Sequence, residues 1–307
     1  MIPQDVEALA AQRLQARADK DYPSSDDLRD RIAELGWTVR DTAEGQVLQP
    51  APPYRVVVSA RDLPDSSATP DELELAVLLL VDGWPEDVRT CVNALLEYTS
   101  EGTRIVLLEN GETGAGDVVH ELARSHQRVA EHHLARPAGW AEAVNSLVRL
   151  STARTVVLMD LSTVLEGDAF GPLLTALDQG FAAAGWRGVS VDDGWLSFSD
   201  APAGEVEALL GYLIAVRRAV ALEVPLPARA RSYRNADLEW SFLLREAGHR
   251  LVAVDVPVRQ DRHRGYHDSD PAVRDRESKK TYDRFLARFR TREDLRLPGS
   301  GLDHRRR

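Results

Sequence analysis

Hydrophobic and polar positions change rhythm twice along this chain. Residues 6–35 carry apolar side chains at helical spacing: Val6, Leu9, Leu14 and Ala18, then Leu28, Ile32 and Leu35. "YPSSDD" (22–27) separates the two sets, so two helices are predicted, with Ser24 or Ser25 as N-cap of the second. Gly36 closes the pair, and "WTVRDTAEGQVLQ" follows with a turn signal at Glu44–Gly45. Residues 1–49 are thus predicted as a helical-hairpin module. Residues 50–73 are rich in Pro, Ser and Asp, the composition of a linker, interrupted by one short strand in "YRVVVSA".

From residue 74 the texture changes. "ELAVLLLV" (74–81), "TRIVLLE" (103–109), "QRVAEHHL" (127–134) and "RTVVLMD" (154–160) are short apolar runs, and helical patterns fill 86–98, 116–126 and 139–150. Strand–helix alternation at this spacing predicts an α/β domain with a mostly parallel sheet and helices on both faces. Such sheets bind ligands at the carboxyl ends of their strands. A basic amphipathic helix with Val273, Tyr282, Phe285, Leu286 and Phe289 closes the domain, which is taken as 74–292. Residues 293–307 are predicted to be a disordered tail.

Composition narrows the class. The 307 residues are 43% hydrophobic and 28% charged, which suits one large or two modest globular domains. A net charge of −11 argues against general nucleic-acid binding, which relies on a basic field. A local arginine cluster can still take an anionic ligand. Cys91 is the sole cysteine, which excludes an intramolecular disulfide and a thiolate zinc cluster. Its setting, "VRTCVNALL", predicts a small buried residue on a helix. The longest apolar run, Leu75–Val81, has seven residues, against about 20 for a membrane helix. With no signal-peptide pattern at the start, a cytoplasmic protein without a membrane span is expected.

Three predicted strands end in an acid: Asp82, Glu109 and Asp160. Any one of them also reads as a helix N-cap or a solvated loop residue; together they mark one rim of the sheet. The glycines of "NGETGAGD" lack the spacing of a phosphate loop and read as a strand-to-helix turn. Trp186, Trp195 and Tyr233 are able to stack on a sugar face, although aromatics at such places are commonly core.

"VLLLVDGWPEDVRTCVNALLEYT", "IVLLENGE", "GWAEAVNSLVRLSTARTVVLMDLS", "GYLIAVRRAV" and "YRNADLEWSFLLREAGHRLV…HRGY" follow one another in a familiar order. Over about residues 74–290 the chain resembles the nucleotide-sugar glycosyltransferases of the GT-A fold, the family-2-like group. The resemblance implies a Rossmann-like GT-A sheet. It also implies transfer of a sugar from a nucleotide-diphosphate donor to a hydroxyl acceptor, with inversion, assisted by a divalent cation, Mg²⁺ or Mn²⁺. The family's Asp-x-Asp stands here as Asp160-Leu161-Ser162, which makes Asp160 a metal ligand and Ser162 a weaker, neutral oxygen beside the donor. His263 lies where relatives carry a metal- or phosphate-binding histidine, flanked by Arg262 and Arg264; His267 is a second candidate. Glu109 takes the place of the donor-contacting acid, and Asp82 falls near the base or ribose. Gly139 and Asn145 match the Gly-x-x-x-Ala-x-Asn helix beside the donor, and Asn145 also reads as a plain polar residue on a helix face.

The family's catalytic base corresponds to Asp237, with Glu239 in reserve and Asn235 able to cap the helix. Acids in a first turn also complement the helix dipole, and i and i+2 point in different directions. The loss of the second Asp-x-Asp acid leaves an alternative, a catalytically degenerate GT-A-like protein that binds a nucleotide sugar or a partner. Arg217 and Arg218 in "GYLIAVRR" are assigned no role. Residues 6–46 resemble the small C-terminal helical segment of bacterial cysteinyl-tRNA synthetases. That implies a borrowed module for docking or homodimerisation; the acidic charge runs against an RNA partner.

Overall fold

The computed structural model describes residues 2–42, 45–192 and 194–298. The chain divides into two compact units, Met1–Arg55 and Val56–Arg307. In the first, α1 (Gln4–Ala18) and α2 (Tyr22–Glu34) form the helical hairpin, followed by the antiparallel pair β1 (Trp37–Thr42) and β2 (Gly45–Pro50). Val6, Leu9, Leu28, Ile32 and Val39 make its core. α2 starts earlier than the expected Ser24 or Ser25 cap. Asp21 is the cap: its Oδ1 accepts from the Ser24 backbone at 3.2 Å, and the following Pro23 suits a first turn. Gly36 has φ +77°, a left-handed turn that glycine takes without strain. Residues 43–44, including Glu44 of the predicted turn, lie outside the described residues. The buried Arg13 grips both oxygens of Asp41 at 2.9 and 3.0 Å and ties helix to hairpin.

The second unit begins with β3 (Val56–Val57), β4 (Leu73–Val81), α3 (Pro85–Tyr98), β5 (Thr103–Glu109), α4 (Gly116–Ser125), β6 (Val129–Leu134), α5 (Trp140–Leu150) and β7 (Ala153–Met159). Next come β8 (Thr163–Leu165), α6 (Phe170–Asp178), β9 (Ala183–Gly185), β10 (Gly188–Val191), β11 (Phe198–Ala201), β12 (Gly204–Val206) and β13 (Ala208–Leu209). The unit closes with β14 (Leu213–Arg217), α7 (Arg218–Glu223), α8 (Ala236–Glu246), β15 (Leu251–Ala253), β16 (Val258–Gln260), α9 (Arg264–His267) and α10 (Pro271–Phe289). Among the described residues one nine-stranded sheet runs β12-β15-β9-β14-β7-β4-β5-β6-β3. It is parallel from β3 through β7, while β14 runs antiparallel to both its neighbours. This is the GT-A architecture.

Side chains alternate across the sheet, and the alternation decides what reaches the site. Val77, Leu79 and Val81, Ile105 and Leu107, and Val157 and Met159 pack on one face with α3, α4 and α6. Ala76 and Leu78, Val106 and Leu108, and Val156 and Leu158 pack on the other with α5, α7 and α8. Burial on both faces explains the unbroken apolar runs of β4 and β7. Cys91 of α3 is fully buried in the first layer. A third core joins α8 to α10 through Trp195, Phe242, Phe285 and Phe289, with Phe242 and Phe285 ring centres 5.3 Å apart. Leu295 completes that core, and Glu293 accepts from Trp195 Nε1 at 3.0 Å. The packed chain therefore extends past residue 292, into the stretch expected to fray; residues 299–307 lie outside the described residues. Among the described residues no helix is long and apolar enough to cross a membrane.

Candidate active site

A cleft of about 1150 Å³ opens at the carboxyl ends of β4 and β7. It slightly exceeds the roughly 300–1,000 Å³ of a single small-molecule pocket. Leu78, Leu80 and Leu158 line its apolar part, all from the sheet face that carries α5 and α8. Two residues beyond Leu80 and Leu158, the same alternation delivers Asp82 and Asp160 into the cleft. Asn110 joins them: its Nδ2 donates to Asp82 Oδ1 at 2.8 Å, and its Oδ1 accepts from the Ala138 backbone at 2.7 Å. The protein walls around Asp82 raise its pKa, and the charge of Asp160 adds to the rise.

Asp160 and His263 form the polar centre, with Oδ2 and Nε2 3.2 Å apart. Ser162 donates to Asp160 Oδ1 from its hydroxyl and, at 2.8 Å, from its backbone. Burial alone would raise the pKa of Asp160; the hydrogen bonds from His263 and Ser162 outweigh it and hold the carboxyl below its ordinary value. For His263 burial acts downward, and Asp160 outweighs it and raises the imidazole. Tyr233 stacks on the His263 ring at 4.5 Å, with 21° between the planes. His263 Nδ1 accepts from the Tyr266 N–H at 3.0 Å, so Nε2 carries the ring proton and meets Asp160 as a donor at 3.2 Å. Among the described residues no cluster of three or more His, Cys, Asp or Glu forms a metal site. The oxygen donors fit an ion held by the Asp160 carboxylate and completed by ligand oxygens and water, the usual habit of Mg²⁺; the hydrogen-bonded His263 does not fit as a ligand in this tautomer.

Asp237 faces the same cleft from the first turn of α8. It is 9% exposed, and burial pushes its carboxyl up to about 6. Hydrogen bonds from the Gly211 backbone to Oδ2 (2.8 Å) and from the Leu238 backbone to Oδ1 (2.9 Å) orient it and oppose part of that rise. Trp84, at the N-cap of α3, also lines the cleft with its backbone in the left-handed region, φ +55° and ψ +72°, ahead of Pro85. A Cβ added to Gly265 would stand 3.7 Å from its Cη2.

The cleft brings together Asp82, Asp160, Ser162, Asp237 and His263, but four expected residues do not line it. Glu109 is the last residue of β5, in step with Ile105 and Leu107, so it points to the opposite face. There Thr113 Oγ1 donates to it at 2.9 Å and His133 Nδ1 stands 2.8 Å away. Asn110, one residue on, occupies the cleft in its stead. Asn145 clasps the backbone of Leu226, donating to its carbonyl at 2.8 Å and accepting from its N–H at 2.9 Å. Gly139 borders the cleft: a Cβ there would come within 3.4 Å of Arg231 Cα. Glu239 is buried against Arg284, which donates from Nε at 2.7 Å and Nη2 at 2.5 Å. His267 does line the cleft. Arg218 is spent on the carbonyls of Ser66, Thr69 and Ser151, and Trp195 lies in the aromatic core. The cleft residues that motif reading passed over are Trp84, Asn110, Arg231 and Arg234. The period-two register of β5 was the signal available for Asn110.

The geometry is that of a GT-A domain with a ligand cleft. Residues 84–224 match the family described as glycosyl transferase family 2, and residues 1–47 match the cysteinyl-tRNA ligase anticodon binding domain. The first unit is similar to cysteine–tRNA ligase 1 of Burkholderia lata, 45% identical over 47 residues, which is 15% of this chain and 10% of that protein. The fold is similar to that of GalNAc-T7 solved with UDP, GalNAc and Mn²⁺: TM-score 0.57, 15% identity, 70% of this chain and 48% of that one. It is also similar to the mannosyltransferase PcManGT from Pyrobaculum calidifontis in complex with GDP-Man and Mn²⁺: TM-score 0.52, 17% identity, 67% of this chain and 62% of that one. The chain thus spans about a tenth of that curated relative and about half to three-fifths of the two solved structures.

Proposed function

We propose that this chain is a glycosyltransferase that moves a sugar from a nucleoside-diphosphate donor to a hydroxyl acceptor, with inversion, and that Asp237 is its general base. The observation that carries this reading is the shared cleft: a buried carboxyl with a pKa of about 6 opens onto the same space as the Asp160–His263 pair. The match to glycosyl transferase family 2 and the nucleotide sugars named with the two similar structures support it.

Displacement at the anomeric carbon needs the acceptor hydroxyl to lose its proton as it attacks. Above pH 6 Asp237 is the ionised carboxylate that takes it, and the Gly211 and Leu238 N–H groups hold that carboxylate in place. General-base help of this kind contributes about 10²–10⁴ in rate. Asp160 would hold a divalent cation, whose chemistry is to offset charge on the departing diphosphate, and His263 would join it only in the tautomer that frees Nε2. Asp82, oriented by the Asn110 amide, which is itself held by the Ala138 backbone, presents a carboxylate to the donor's ribose or base.

The test is release of nucleoside diphosphate from a panel of UDP- and GDP-sugars with Mn²⁺, for the wild type, Asp237→Asn and Asp160→Ala. Turnover that collapses in both variants is expected. Equal turnover in Asp237→Asn removes the base assignment. Binding without turnover in the wild type favours the second reading, a degenerate binding protein, which the single carboxylate of Asp160-Leu161-Ser162 keeps in play. We assign the first unit to docking or homodimerisation, since residues 1–47 hold ten acidic against six basic side chains, a poor field for RNA. On the same reading the protein works in the cytoplasm.

A further inference from the structure

The chain as a whole is strongly acidic, yet six arginines line the cleft. Four of them have carboxylate partners: Arg262 with Asp268 (2.5 Å), Arg264 with Asp87 (3.1 Å), Arg274 with Asp275 (2.9 Å) and Arg276 with Glu277 (3.3 Å). Among the described residues Arg231 and Arg234 have no carboxylate within ion-pair reach. Arg234 lies over the Tyr266 ring at 4.8 Å, and the Arg231 side chain is exposed.

Their backbone segment, by contrast, is held at both ends. The carbonyls of Ala230 and Arg231 accept from Ala141 and Trp140 at 3.0 and 3.1 Å, at the start of α5. Asn235, with φ +64°, anchors the other end by donating to Ser278 Oγ at 3.0 Å. Between the two arginines Tyr233 stacks on His263, the partner of Asp160. Two guanidinium groups without an ion-paired carboxylate thus line the same cleft as the Asp160–His263 centre, and the charge of Arg234 also reaches Asp237, whose pKa it lowers. That centre itself supplies one carboxylate.

We infer that Arg231 and Arg234 form a clamp for the diphosphate of the donor. The inference rests on the nucleotide-sugar reading given above and adds the groups that would bear the diphosphate's charge when the cation is absent. A guanidinium meets phosphate oxygens with two parallel N–H bonds, a geometry that lysine cannot reproduce. Because the backbone is already anchored, little ordering is left to the moment of binding.

The experiment is titration calorimetry of the full chain with UDP and GDP, in EDTA and in Mn²⁺, beside uridine and guanosine. Arg231→Ala and Arg234→Ala are expected to weaken binding of the preferred nucleoside diphosphate about tenfold each in EDTA, with lysine at either position restoring only part of it. Binding of the parent nucleoside should stay within about twofold, since it has no phosphate to lose. Arg229→Ala is the control: it lies in the same segment, is exposed and does not line the cleft. Diphosphate binding unchanged in both arginine variants overturns the clamp and leaves the proposed function standing. Equal losses for diphosphate and nucleoside, or equal losses in Arg229→Ala, also overturn it. A wild type that binds neither UDP nor GDP in either condition removes the nucleotide-sugar reading, and the clamp with it.

Discussion

His263 with Asp160 and His133 with Glu109 are the same kind of pair at similar separations, 3.2 and 2.8 Å, on opposite faces of one sheet. The first opens into the cleft. The second lies on the far side of the sheet, where His133 Nε2 stands 2.9 Å from the half-buried Glu131, and Glu131 in turn 2.9 Å from the half-buried His120. Thr113 completes the contacts of Glu109 from the loop after β5. For Glu109 burial acts upward, and the hydrogen bonds of His133 and Thr113 hold its pKa below the ordinary value. Residue type therefore does not separate a pair that lines the cleft from one that does not. Strand register does, because it sets which face a side chain joins and whether a ligand can reach it.

The largest effect that tests this contrast is on turnover. Asp237→Asn, on the cleft side, should lower the transfer rate by about 10²–10⁴ with nucleotide binding retained. The wild-type rate should rise with pH through about 6, where Asp237 gives up its proton, as a pH–rate profile would display. Asp160→Ala and His263→Ala should each cost about 10²-fold in kcat/KM, measured by donor turnover.

On the far face the expected loss is in stability. Glu109→Ala should destabilise the fold by about 3 kcal/mol by denaturant titration, because it leaves Nδ1 of the buried His133 and the Thr113 hydroxyl without their acceptor. The proposed transfer activity of the folded protein should stay within about twofold of wild type. A rate loss matching that of Asp160→Ala would break the two-face contrast. A smaller effect concerns Asp237 and folding. Its folded pKa lies above the unfolded value, so its stabilising contribution is complete below the unfolded pKa and fades as pH rises through about 6. The melting temperature of Asp237→Asn minus that of wild type should therefore increase between pH 4 and 7, by the equivalent of roughly 2–3 kcal/mol.

Much of the scaffold was legible in the sequence. The apolar runs at 74–81, 103–109 and 154–160 differ from β4, β5 and β7 by at most one residue at each end, because strands buried on both faces leave a strong and simple signature. The strands from β8 to β16 were largely hidden: several have two or three residues, and antiparallel insertion of β14 between β7 and β9 depends on contacts far apart in sequence. Asp160, His263 and Asp237 were singled out through motif order, and one cleft brings them together. Glu109 was placed in the cleft by motif position, although its odd register with Ile105 and Leu107 pointed to the opposite face. Glu239 looked like a second base until Arg284, 45 positions away, closed on it. Arg231 and Arg234 carry no sequence mark, since an arginine without a partner is defined only by what fails to come near it.

The twisted main chain at Trp84 has a use for protein engineering. A left-handed conformation costs a bulky residue on the order of 1–3 kcal/mol, which glycine would not incur. A library selected for thermal tolerance alone would be drawn toward glycine there, and one selected on substrate capture would keep the indole. Running both selections on the same pool turns this position into a gauge of how far the cleft wall is maintained for its guest and how far for the scaffold.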